Sequence, residues 1–161
     1  GDIGIAINAI LSSAHPHSFL GISSQGTVSI VRTAGNAYGH VVLRGGDGRP
    51  NYDSVSVAIA EQSLVKAGLP ANVVVDCSHA NSYKKPELQP LVMSDVIQQI
   101  KHGNKSLVGV MIESNIVSGS QSIPSDLSQL TYGCSVTDGC IGWEETETML
   151  REAHKELLQR P

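Results

Sequence analysis

The sequence is poor in aromatic residues, which make up 4% of its 161 positions, with one Phe and one Trp. It is also poor in charge: 16% of residues are charged, and 15 acids against 11 bases leave a formal net charge of −4. Such a chain has neither the basic footprint nor the stacking platforms of a nucleic-acid binder. No apolar run approaches the roughly 18 residues that a membrane-spanning helix needs. No basic start leading into an apolar run marks a signal peptide. Cysteine is scarce and odd in number, with Cys77, Cys134 and Cys140 and no C-x-x-C. That pattern argues against a disulfide framework and a zinc ribbon, and it suits a reducing, cytoplasmic setting. An initiator Met is missing too. The chain opens on GDIGIAINAI and reads as the interior of something longer.

Apolar residues are present in quantity, at 40%, which with so little charge excludes disorder. They fall into a repeated strand-then-helix order. A first strand at 41–43 is followed by a helix opening near Asp53 or Ser54, with Val57, Ala60 and Leu64 at helical period and Gly68 and Pro70 as its stop. A second strand at 73–75 precedes a helix carrying Val92, Val96 and Ile100, closed by Lys101, His102 and Gly103. A third strand at 107–112 runs into a Ser-rich loop at 118–129. A short fourth strand is expected at 135–137. A last helix follows, with acids at its start, bases toward its end, and an apolar face of Leu150, Ala153, Leu157 and Leu158. Trp143 is expected to pack the start of that helix.

Ahead of these units, Ile3, Ile7, Ile10 and Leu11 suggest a short helix, and residues 18–32 read as a β-hairpin with Gly26 in its turn. Short β-branched strands alternating with helices define an α/β chain with a parallel sheet covered on both faces, either an open doubly wound sheet or a barrel. No internal boundary divides residues 1–161.

Each expected strand delivers one functional side chain: Arg44, His79, Glu113 and Asp138, at separations of 35, 34 and 25 residues. Successive βα units therefore present them at one edge, the carboxyl edge, where α/β proteins build their sites. One imidazole and two carboxylates suit a divalent Mn, Fe, Co or Zn ion, which acts as a Lewis acid on a carbonyl oxygen. Arg44 offers a planar fork for phosphate or carboxylate, and Gly45 and Gly46 let a ligand approach the backbone. Isolated strand-end polar groups are the plainer explanation for any one of these residues alone. Cys77 reads as a small buried apolar residue, His15 and His17 as solvated loop residues, and Lys84 and Lys85 as a solvated face.

Longer motifs carry a resemblance. They are Val42-Leu43-Arg44-Gly45-Gly46, Pro50-Asn51-Tyr52, Asp76-Cys77-Ser78-His79-Ala80-Asn81-Ser82 and Gly109-Val110-Met111-Ile112-Glu113-Ser114-Asn115. Tyr132-Gly133, Ser135-Val136-Thr137-Asp138 and Cys140-Ile141-Gly142-Trp143-Glu144 complete the series. In this order and spacing they resemble the C-terminal half of class I 3-deoxy-D-arabino-heptulosonate-7-phosphate (DAHP) synthases, over essentially the whole chain.

The resemblance implies about four βα units of a (β/α)₈ TIM barrel with an inserted hairpin. It implies a metal-dependent condensation of phosphoenolpyruvate with erythrose 4-phosphate, the first step toward the aromatic amino acids. It assigns His79, Glu113 and Asp138 to the metal, and Arg44, His79 and Asp138 to substrate, with Arg44 and His79 catalytic. It also places Phe19, Gly21 and Val31 at an aromatic amino-acid effector site. Gly21, where phenylalanine-sensitive members carry a serine, favours a tyrosine- or tryptophan-sensitive type.

The family's fourth metal ligand, a cysteine, and its substrate lysines belong to an N-terminal half that this sequence lacks. The 161-residue chain alone is therefore expected to be inactive, and to self-associate or bind that half. Two other readings stay open. One is a sister synthase that condenses phosphoenolpyruvate with another sugar. The other is a non-catalytic module for oligomerisation or effector binding.

Overall fold

A computed structural model describes residues 2–159. Helix α1 (Ile3–Ala14) is capped by Asp2, whose carboxylate accepts from the Gly4 amide at 2.7 Å. It buries Ile7 and lays Ile3, Ile10 and Leu11 against the core. Strands β1 (Ser18–Ile22) and β2 (Val28–Arg32) form the expected hairpin, with Phe19 opposite Val31 and Gly26 at φ +77° in its turn. His15 and His17, though exposed, are not merely solvated. The His15 ring reaches back to the Leu11 carbonyl of its own helix at 2.8 Å, and the His17 ring reaches the Ser12 carbonyl at 2.7 Å and ties the start of the hairpin to the end of α1.

The main sheet is three-stranded and parallel, in the order β3 (Val41–Leu43), β4 (Val73–Asp76), β5 (Leu107–Met111). Helix α2 (Ser54–Lys66) connects the first pair, and α3 (Gln89–Lys101) connects the second after two 3₁₀ turns, His79–Ser82 and Pro86–Leu88. β4 lies in the middle. Val73 and Val75 are fully buried on one face, whereas Val74 on the other is only half-buried and its neighbour Val42 is 38% exposed, so the expected cover on both faces is found on one. Val57, Ala60 and Leu64 of α2 and Val92 and Val96 of α3 close over it, each about 1% exposed or less.

The fourth expected strand does not form. Residues 136–138 bend, Ser135 makes a lone parallel bridge to Ser120, and Val136 is 44% exposed. Instead Ile141, fully buried, bridges Ser114 in parallel beyond the end of β5. The segment 135–137 has β-type residues but no continuous neighbour to pair with, because the loop before it is held by its own contacts. Gln121 donates to the Thr131 and Cys134 carbonyls and accepts from the Thr131 amide.

Helix α4 (Trp143–Leu158) also turns differently from expectation. It buries Thr146, Met149 and Ala153 and packs Leu157 against the core, while Leu150 is 46% and Leu158 73% exposed. Trp143, its first residue, projects outward at 62% exposure. Gln98 and Lys101 of α3 both reach the Glu156 carboxylate, at 2.7 and 3.0 Å, and fasten α4 to α3. No helix among the described residues is long and apolar enough to cross a membrane.

Candidate active site and metal centre

β3, β4 and β5 are parallel, so their carboxyl ends lie at one edge, and the residues after those ends build the site. β4 ends at Asp76, fully buried. The chain then passes through Cys77 and Ser78 and enters a 3₁₀ turn at His79, whose φ of +50° is unusual for a residue with a side chain. That conformation brings the imidazole back over the strand end, and Nδ1 lies 2.6 Å from Asp76 Oδ2. An ionised carboxylate can only accept, so Nδ1 is the donor in this pair, and in the neutral ring Nε2 then keeps its lone pair. The Asp76 carboxylate is itself fixed by the Ser78 amide at 2.8 Å.

Glu113 follows β5. Its amide donates to Gln89 Oε1 at 2.8 Å, and its carbonyl accepts from Gln89 Nε2 at 2.9 Å and from the Ile141 amide at 3.0 Å. Asp138 lies on the bend that replaces the expected strand, flanked by bridges at Ser135 and Cys140. Donor atoms of His79, Glu113 and Asp138 all lie within 4.8 Å of one another. His79 Nε2 is 3.8 Å from Asp138 Oδ2, and the Lys84 ammonium is 3.8 Å from the other oxygen of that carboxylate. Lys84 is 72% exposed, so it is solvated as expected, yet it faces the site. Tyr83 and Lys84 both take left-handed φ values, +54° and +58°, at the point where the chain turns to present that ammonium.

Arg44 follows β3 at the same edge. Its carbonyl accepts from the Ala80 amide at 3.2 Å, so the backbones of the arginine and histidine segments are joined directly. Its guanidinium makes no hydrogen bond or ion pair among the described residues. Asn81 reinforces the junction: its side-chain amide donates to the Leu43 and Asp76 carbonyls at 2.9 and 2.8 Å, and its oxygen accepts from the Asn51 amide at 2.8 Å. Asn51 in turn accepts from the Gly45 amide at 2.7 Å. Gly45 is obligatory here. Its φ is +73°, and a Cβ would sit 2.6 Å from Ala80 Cβ and 2.7 Å from the Arg49 carbonyl.

Four supporting residues escaped the sequence argument. Asp76 was visible only as a strand end, although Asp-x-x-His is the spacing at which a turn folds imidazole onto carboxylate. Asn51 and Asn81 appeared only inside the motifs that carry the resemblance, with no role given, and Gln89 carried no signal, because amides that bond to distant backbone leave no periodicity. Cys77 is a buried apolar residue as expected. Burial, with the neighbouring Asp76 charge adding to it, pushes its thiol up to about 12. Away from this edge, the structure gathers Phe19, Gly21 and Val31 into one patch of the hairpin. A Cβ on Gly21 would meet Val31 Cγ2 at 2.7 Å and Phe19 at 3.7 Å.

Parallel strands joined by helices, with imidazole, two carboxylates and an arginine gathered at their carboxyl edge, define the class: an α/β protein with the donor set of a divalent-metal site. Within that class the chain belongs to the DAHP synthetase I family, which residues 2–151 match. It is 50% identical over 157 residues to the Tyr-sensitive phospho-2-dehydro-3-deoxyheptonate aldolase of Salmonella typhimurium, covering 98% of this chain and 44% of that protein. It is 49% identical over 152 residues to the Phe-sensitive enzyme of Escherichia coli K12, covering 94% and 43%. Its fold matches the phospho-2-dehydro-3-deoxyheptonate aldolase structure from Francisella tularensis with a TM-score of 0.92 and 42% identity, over 100% of this chain and 46% of that one. The chain thus spans less than half the length of these relatives.

Proposed function

We propose that the protein carrying this chain is a DAHP synthase, and that the chain supplies the carboxyl-terminal part of its barrel, with three of its metal donors. The observation that carries this reading is the convergence of His79, Glu113 and Asp138 donor atoms within 4.8 Å at the edge that also bears Arg44. The donor set suits a divalent first-row ion: one imidazole nitrogen with its lone pair left free, and two carboxylates, all partly buried.

His79, Glu113 and Asp138 would hold a divalent ion, which would supply Lewis acidity toward a carbonyl oxygen such as the aldehyde of erythrose 4-phosphate. The reaction joins carbon-3 of phosphoenolpyruvate to the aldehyde carbon, adds water at carbon-2, and releases inorganic phosphate. Arg44 binds the anionic phosphoenolpyruvate, because its guanidinium has no partner among the described residues and its fork matches phosphate or carboxylate. Asp76 holds the His79 ring so that Nε2 faces the site, and the carboxylates of Glu113 and Asp138 neutralise the cation. The hairpin patch of Phe19, Gly21 and Val31 takes an aromatic amino acid as effector.

The test uses the whole protein that carries this chain and follows phosphate release from phosphoenolpyruvate with erythrose 4-phosphate. Activity should vanish on chelation and return with Mn²⁺, and Glu113→Gln should lose both Mn²⁺ affinity and turnover. Full turnover in a chelated, metal-free sample would overturn the metal assignment. Turnover with arabinose 5-phosphate in place of erythrose 4-phosphate would favour a sister synthase.

A further inference from the structure

Gln89 is the first residue of α3, and its side chain is 0% exposed. A fully buried primary amide is costly unless its polar atoms are bonded. Here both ends bond to one residue: Oε1 accepts from the Glu113 amide and Nε2 donates to the Glu113 carbonyl, at 2.8 and 2.9 Å. This is the pairing a neighbouring strand would offer. β5 ends at Met111, so Glu113 lies beyond the sheet and has no strand partner for its amide.

From this geometry, and resting on the metal reading above, we propose that Gln89 is a positioning residue that fixes the backbone of Glu113 and thereby sets the affinity of the metal site. Metal–ligand distances tolerate only about 0.2 Å, whereas a Glu side chain has three rotatable bonds between its backbone and its carboxylate. Locking the backbone at both N–H and C=O halves the problem, because only the side-chain torsions remain to be fixed by the ion itself. A second feature ties the clamp to the rest of the site. The carbonyl that Gln89 holds also accepts from the Ile141 amide, which ends the segment bearing Asp138. The carbonyl of one donor and the segment that carries a second are therefore tied together at one hydrogen-bonded point.

The test measures Mn²⁺ binding by chelator competition on the whole protein that carries this chain, together with melting temperature in the absence of metal. Gln89→Met keeps the volume and removes both hydrogen bonds. Val96→Ala, at a fully buried core position further along α3 with no hydrogen bond to the site, matches it as a loss of core stability. Gln89→Met should weaken Mn²⁺ binding by about 10- to 100-fold, the usual effect of removing an outer partner of a metal ligand. Val96→Ala, at a comparable loss of melting temperature, should leave binding within about twofold of wild type. Hydrogen exchange at the Glu113 amide should become fast in Gln89→Met alone. Unchanged Mn²⁺ binding in Gln89→Met overturns the proposal, as does equal weakening in Val96→Ala. No Mn²⁺ binding by the unmutated whole protein overturns the metal reading and this proposal together.

Discussion

At the scale of single residues, the site depends on which hydrogen each polar atom carries. His79 can offer Nε2 to a cation only while Nδ1 holds the proton, and Asp76 enforces that state because an ionised carboxylate can only accept. Asp76→Asn keeps the shape but can rotate to present its NH₂ group, which would push the proton to Nε2 and block the ligand position. The variant should fold, with Mn²⁺ affinity lower by about 10- to 100-fold. Calorimetric titration that finds wild-type affinity would show that the ring is oriented by something else. The same buried carboxylate bears on Cys77. With its thiol pushed up to about 12, Cys77 holds almost no thiolate at neutral pH. Native alkylation followed by peptide mass mapping should leave Cys77 unlabelled until the chain unfolds, whereas the half-buried Cys134 should react first.

At the scale of elements, turns and caps position what the strands cannot. The tight approach of the Gly45 and Ala80 backbones places Arg44 and His79 side by side, and no side chain fits between them. Gly45→Ala adds a left-handed penalty of roughly 1 kcal/mol or more and a clash that must displace the segment carrying His79. We expect a lower melting temperature and weaker Mn²⁺ binding together, whereas Gly68→Ala, left-handed but in open space, should lower only the melting temperature.

The α2 cap makes a separate prediction. Asp53 accepts from the Ser56 hydroxyl and from the Ser56 and Val55 amides, and these bonds, the hydroxyl foremost, hold its carboxyl below the ordinary 3.8. A depressed folded pKa stabilises fully above the ordinary value and is lost as pH falls through the lower folded value. Asp53→Ala should therefore cost about 1 kcal/mol at neutral pH, and the gap from wild type should close in strong acid. A gap that persists there would mean the cap does not act through its charge.

Elements with a strong local period were legible in the sequence. α2 and α3 follow from their apolar spacing, and the hairpin from its turn. The expected strand at 135–137 was misplaced because Val136 and Thr137 have strand propensity but no partner, whereas Ile141, flanked by Cys140 and Gly142, takes the pairing position. Leu150 and Leu158 were misassigned for a related reason. Which face of an amphipathic helix is buried depends on what it meets, and α4 meets α3 through Met149 and Ala153. The three proposed donors could be singled out because each follows a strand or a strand-like run. The groups that hold them could not, since Gln89 lies 24 residues from Glu113 and bonds only to its backbone.

At the scale of the whole molecule, the sheet is unfinished among the described residues. β3 and β5 each have a neighbour on one side only, and unpaired edges invite association. A groove of about 410 Å³ opens between α3, β5 and α4, lined by Ile97, Ile100, Leu107 and Leu157. The hairpin exposes Leu20 and Val28 at 76% and 78% on a two-stranded sheet that has no partner sheet of its own. In the barrel proposed above such edges would be paired and such grooves covered, and a (β/α)₈ barrel takes roughly 250 residues. Produced by itself, the 161-residue chain should therefore self-associate. It should also turn over phosphoenolpyruvate and erythrose 4-phosphate far more slowly than the Salmonella typhimurium relative, because three donors and one arginine do not enclose two phosphorylated substrates. Light scattering across a concentration series, paired with a phosphate-release assay, reads both expectations on one sample. A clean monomer at every concentration would show that the exposed strand edges and hairpin are tolerated in water. Turnover matching the relative would show that residues 1–161 already hold a complete catalytic set.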